Sequence, residues 1–354
     1  MVRLLLVALL LGPPAVAAGS VAGPARETVC NIPVFRYALE RWPAAPYDVV
    51  AVHRGSLSDA EIAALTVLRQ SGANLEVDRI NLAEPIAAPR KDLVRRLRLD
   101  APGLVALYPG TQTEAWRGPL DTAAARALVD SPARREVARR ILGGQSGVWI
   151  LLESGEKGKD DAAEALLGKE LRSLEQSLQL PAHHPDDPPL LSDLPVAVSF
   201  SILRLSRSDP AEQPLVSMLA KSELGLEGTV AFPVFGRGRA LWGLAGAGLN
   251  AQTIAESGEF LTGACSCEAK EFNPGVDLLF AADWEAGLSA APDVPGLPVP
   301  VLQPRPPEAA PPPGSGPEGA GLFLWIALLV AGALVAVSGR RILALTRHDR
   351  SSGF

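Results

Sequence analysis

Between residues 28 and 285 the chain alternates stretches of two-residue apolar period with stretches of helical period. The run YDVVAVH at 47–53 is β-branched and reads as a strand. Ser58 then stands as an N-cap before Ile62, Leu65 and Leu68, which fall on one helical face. A second strand is expected at 74–80, a short helix at 91–97, and two strands joined by a turn in DAPGLVALYPGTQTEAWRGPLD. Residues 122–143 read as one helix ending on paired glycines. The pattern then restarts, with a strand at 148–152 and a long helix at 160–180 carrying Ala163, Leu166, Leu167, Leu171, Leu174 and Leu178 on one face. A strand at 196–205, a helix at 214–224, a hairpin turning at Gly236-Arg237-Gly238 and a helix at 251–261 follow. Each half therefore has the order βαβα-ββα, an internal repeat of about 110 residues. The fold class expected is α/β, with domain one at 28–145 and domain two at 146–285.

That order resembles the thioredoxin-like fold. Ala101-Pro102 resembles the family's cis-proline before a central strand, Leu104 to Tyr108 that strand, Gly110 to Thr113 the turn, and Glu114 to Arg117 the edge strand. The hairpin around Phe232-Pro233-Val234-Phe235 resembles the same unit in the second half. The resemblance implies two tandem domains of that fold. Redox members of the family carry Cys-x-x-Cys where the first strand meets the first helix. Here those positions hold Arg54-Gly55-Ser56-Leu57-Ser58 and Glu153-Ser154-Gly155-Glu156-Lys157. A dithiol mechanism needs two thiols within one helical turn, so neither half performs it at that place.

Both ends of the chain change the picture. Arg3, the apolar run at 4–11 and Ala15-Val16-Ala17 read as a secretory signal over residues 1–19. Residues 286–319 are proline-rich and read as a polyproline-like stalk. GLFLWIALLVAGALVAVS at 321–338 is uncharged and about 27 Å long as a helix, enough to span a bilayer (expected span 320–339). Arg340, Arg341, Arg347 and Arg350 follow it, so the positive-inside rule places 340–354 in the cytoplasm and the domains in the periplasm. With 354 residues and a net charge of −6, the chain offers no basic field for nucleic acid.

The chemistry on offer is sparse. Cys30, Cys265 and Cys267 are the three cysteines. Cys30 precedes an expected helix at 31–42 with Asn31 as its N-cap, a setting that favours a thiolate. Cys265-Ser266-Cys267 offers a strained, reducible disulfide or, with Cys30, soft ligands for Cu(I). A structural disulfide from Cys30 to Cys265 or Cys267 is the plainer alternative. His183-His184-Pro185-Asp186-Asp187 reads as a solvated loop before it reads as a metal site, and His53 as a buried or edge histidine before a general base. No nucleotide, zinc-protease or nucleophile-elbow motif is present, and no cofactor is expected. The leading expectation is a non-catalytic, membrane-anchored module that binds a protein partner in the same membrane or periplasm. Thiol–disulfide exchange or copper handling by Cys30, Cys265 and Cys267 stands as the alternative.

Overall fold

The structure is a computed structural model that describes residues 30–223, 226–265 and 270–289. The expected signal segment, most of the stalk, the apolar span, the cytoplasmic tail and Cys267 lie outside the described residues. No helix among the described residues is long and apolar enough to cross a membrane.

In chain order the elements are α1 (Val34–Arg41), β1 (Tyr47–His53), α2 (Asp59–Gln70), β2 (Leu75–Asn81), α3 (Ala88–Leu97), β3 (Gly103–Leu107), β4 (Glu114–Gly118), α4 (Thr122–Val129) and α5 (Pro132–Leu142). They continue with β5 (Gly147–Leu152), α6 (Lys157–Ser177), β6 (Phe200–Leu205), α7 (Gln213–Lys221), β7 (Val230–Phe235), β8 (Arg239–Ala240), β9 (Leu244–Ala245), α8 (Ala251–Thr262), β10 (Val276–Asp277) and α9 (Trp284–Ser289). The first sheet has the order β2-β1-β3-β4, with β1 parallel to β2 and antiparallel to β3. The second has the order β10-β8-β7-β5-β6, with β5 parallel to β6 and antiparallel to β7, and β9 pairing back onto β7.

The central strands explain the apolar runs. β1 and β5 are paired on both edges and covered on both faces, so their sequences carry apolar residues at successive positions. Tyr47, Val49 and Ala51 of β1 and Val148, Ile150 and Leu152 of β5 enter one continuous apolar cluster, together with residues of α2, α4, α5 and α7. On the other face of β5, Trp149 and Leu151 pack with α1, α6 and α8. On the other face of β1, Val50 and Val52 meet Ile80, Val105 and Leu107 under the partly buried Leu93, Val94 and Leu97 of α3.

The two ends of the described chain cross over. α1 packs on α8 and β7 of the second sheet, fastened by the bridge Pro33–Ala264 and by Cys265 N–H donating to Ile32 O at 2.8 Å. The tight turn after β7 touches it: a Cβ on Gly236, which sits at φ +56°, would lie 2.8 Å from Ala38 Cβ. The segment after β10 returns to the first sheet, where Asn74 Nδ2 donates to Leu278 O at 3.2 Å and Phe280 N–H donates to Asn74 Oδ1 at 2.8 Å.

Four expectations are corrected. The Ala101–Pro102 peptide is trans, as are all bonds among the described residues. Pro102 is exposed, so no packed surroundings select the minor isomer. The helix expected over 122–143 is two helices. Pro132 removes an N–H and Ser131 turns out to cap α5, accepting from Arg134 N–H. Asn31 is no N-cap: its backbone N–H and Nδ2 donate to Asp187 at 3.0 and 3.2 Å, and α1 starts at Val34. Residues 286–289, expected in the stalk, belong to α9, whose Trp284 and Leu288 are buried.

Candidate functional site

The parallel pair β1–β2 ends in two loops with a cleft between them. Its volume is about 450 Å³, and His53, Arg79, Asn81, Glu84, Pro85, Ile86, Ala87 and Arg90 line it. Loops beyond the carboxyl ends of neighbouring parallel strands are where open α/β sheets place ligands. This cleft adjoins the 54–58 segment, where the resemblance stated above would put a dithiol.

Asn81 organises the floor. As the last residue of β2, it accepts from Gly55 N–H at 2.9 Å and from Ala83 N–H at 3.0 Å, and it donates to Glu84 Oε1 at 2.6 Å. Leu82 N–H donates to His53 O at 2.8 Å, so the two loops are tied together at their roots. Gly55 turns with φ +74°, a left-handed conformation that favours glycine. Beyond it Ser58 caps α2, and the Ser58 backbone N–H and hydroxyl hold the Glu61 carboxyl below its ordinary range.

His53 is the buried polar group of the cleft, 9% exposed. Its Nδ1 lies 2.9 Å from Gly55 O. A carbonyl only accepts, so Nδ1 carries the hydrogen and the neutral ring keeps its lone pair on Nε2. Nε2 makes no hydrogen bond among the described residues, and no serine or cysteine bonds to the ring, so no nucleophile stands ready for it to activate. On the opposite wall Arg90 pairs with Asp78 at 2.7 Å and donates to Arg79 O at 3.2 Å. The exposed Arg79 guanidinium makes no ion pair or hydrogen bond among the described residues.

The equivalent loop of the second half is closed. Asp160, buried at the start of α6, accepts from Ser154 N–H at 2.8 Å, Ser154 Oγ at 2.9 Å, Gly155 N–H at 3.1 Å and Thr229 Oγ1 at 2.5 Å. Burial pushes its carboxyl up, but the bonds from Thr229, Ser154 and Gly155 outweigh that and hold it below the usual range.

The thiols lie elsewhere. Cys30 and Cys265, 2% and 1% exposed, sit in the apolar cluster behind β5, in the two segments that meet at the isolated Pro33–Ala264 bridge. Cys30 is four residues ahead of α1, outside the turn that feels the helix dipole. No group of three His, Cys, Asp or Glu side chains among the described residues has the spacing of a metal site. His183 Nδ1 is 3.6 Å from Asp187, which is already engaged by Asn31. His183 and His184 thus belong to a loop stapled to the N-terminal segment.

The sequence matches no protein-family model, and no curated protein matches it. Of the cleft residues, only His53 draws notice from sequence. Arg79, Asn81, Glu84 and Arg90 look like ordinary surface residues of a strand, a loop and a helix. The signal that locates them is positional: they follow the carboxyl end of β2, beside the parallel β1.

Proposed function

We propose that this chain is a membrane-anchored, extracytoplasmic binding module made of two thioredoxin-like units without the dithiol, and that its partner is an exported or membrane protein docking at the β1–β2 cleft. The observation that carries this reading is the cleft itself: an open, polar-lined volume at the end of the parallel pair, with a buried histidine and, among the described residues, an unpaired arginine and no thiol or activated nucleophile. The strand orders β2-β1-β3-β4 and β6-β5-β7-β8 support the unit, since both place a parallel βαβ pair beside an antiparallel hairpin. The 321–338 span and the leader support the location. The burial of Cys30 and Cys265 weighs against exchange or copper transfer, because a buried thiol meets another protein only after local opening.

A photo-crosslinking amino acid placed at Ile86, on the cleft, or at the exposed Lys169 of α6, tests the reading in intact cells. A discrete protein adduct from position 86 and none from 169 is expected, with the domains digested by protease added to spheroplasts. Protection of the domains in spheroplasts, or absence of any adduct at 86, overturns it.

A further inference from the structure

Resting on the reading of the cleft as the docking site, we propose that it takes an acidic peptide segment, with a carboxylate held by Arg79 and the start of α3 and a peptide N–H received by His53 Nε2. Three features converge. The Arg79 guanidinium lines the cleft with no partner among the described residues, while Arg90 beside it is already neutralised by Asp78 and the Glu84 carboxylate on the same lining is engaged by Asn81 Nδ2 at 2.6 Å. α3 opens on Ala87 without a side-chain cap and with no acidic residue in its first turn. Pro89 has no N–H, but those of Ala88 and Arg90 lie outside the helical ladder and favour an anion. His53, nine-tenths buried on the same cleft, presents an acceptor at Nε2 in its neutral form.

That last group selects the ligand. A lone carboxylate or other fully ionised oxyanion has no hydrogen to give to Nε2. A peptide carries both an acidic side chain and backbone N–H donors. The volume agrees: about 450 Å³ is many times the roughly 10–15 Å³ that a cavity needs to hold one water, so a single small anion leaves most of it empty. Pro85, Ile86 and Ala87 supply an apolar wall for the peptide's stem atoms.

The test is fluorescence polarisation with the full-length chain in mild detergent, using a labelled Asp/Glu-rich hexapeptide and its Asn/Gln counterpart. The acidic peptide is expected to bind at least tenfold more tightly. Arg79→Gln should remove that preference by weakening only the acidic peptide. His53→Phe should weaken both peptides alike, and Lys169→Gln neither, with thermal melts confirming that each variant is folded. Equal affinity for the two peptides, or an unchanged preference in Arg79→Gln, overturns the proposal. So does inorganic phosphate binding at the cleft in place of the peptide. An adduct from Ile86 without acid preference sinks this inference alone. Loss of both the adduct and peptide binding sinks the broader reading with it.

Discussion

Asp160 shows what one carboxylate does in a loop without a thiol. Its two oxygens take four hydrogen bonds, two of them from backbone N–H groups that a turn into a helix would otherwise leave unmet. Hydrogen bonds to a charged group contribute about 1.5–3 kcal/mol each when one partner is lost, though not additively. Asp160→Ala should therefore cost about 3 kcal/mol in urea unfolding at pH 7. The pH dependence follows from the lowered carboxyl. Its stabilisation is fully present above the unfolded value of about 3.9 and is lost as pH falls through the lower folded value. The difference between wild type and Asp160→Ala should accordingly shrink in acid; a constant difference from pH 7 down to pH 2 would contradict this. The cysteines call for the opposite test. Replacing Cys30, Cys265 and Cys267 together by Ala should leave the Ile86 adduct intact. Loss of the adduct in a variant that still melts cooperatively would return the thiols to the active role.

Among the elements, helix ends and sheet edges are secured by particular side chains. α2 has a full capping box, with Ser58 accepting from Glu61 N–H and Glu61 accepting from Ser58 N–H. Ser58→Ala should lower stability by about 1 kcal/mol, read as a melting shift of a few degrees. A shift of zero would mean that the cap is idle in solution. α4 ends differently. Arg134, buried, donates to Ala127 O at 2.6 Å and Leu128 O at 2.5 Å, meeting carbonyls that the break at Ser131-Pro132 leaves open. Burial pushes its guanidinium down to about 10, partly offset by Glu212. Edge strands are covered in the same manner, by Arg90 on Arg79 O, Ser217 Oγ on Ala115 O and Arg140 on Ile202 O. Such covering limits pairing with another chain along the edge.

Across the whole molecule, the crossed ends and the shared cluster link the two halves. Asp277 is the main polar junction. It pairs with Arg239 at 2.9 Å and with Lys270, accepts from Ala45 N–H at 2.7 Å, and takes the Tyr47 hydroxyl on its backbone carbonyl at 2.9 Å. The entry to β1 and the edge strand β10 are thus bound to one residue. Asp277→Asn leaves two largely buried cations short of a counter-charge, for which about 3 kcal/mol is the expected loss in chemical denaturation. The same architecture predicts joint unfolding. Calorimetry should give one transition for residues 30–289, with calorimetric and van't Hoff enthalpies in agreement. Two resolved transitions would show that the halves are energetically separate.

The sequence alone determined the elements whose pattern is set locally. The β-branched run at 47–53, the Ser58 cap, the strands expected at 104–108 and 114–117 and the helix expected at 251–261 all follow from periodicity and turn residues and lie within one residue of the observed elements, because neighbours in the chain enforce them. It misplaced elements in two ways, by passing over the local break signal Ser131-Pro132 and by missing what distant groups do. The 122–143 helix breaks where Ser131 caps α5 and Arg134 donates to the freed carbonyls of Ala127 and Leu128, and Asn31 spends its side chain on Asp187, 156 residues away, instead of a cap. Ile62, expected on a buried face, is 48% exposed, since the surface that α2 covers ends at Leu65 and Leu68. The site was legible only as His53. Its partners come from β2, the following loop and α3, 26 to 37 residues further on, and become a site only when β2 pairs in parallel beside β1. Local periodicity specifies strands and helices; which loops share a strand end is decided by tertiary packing.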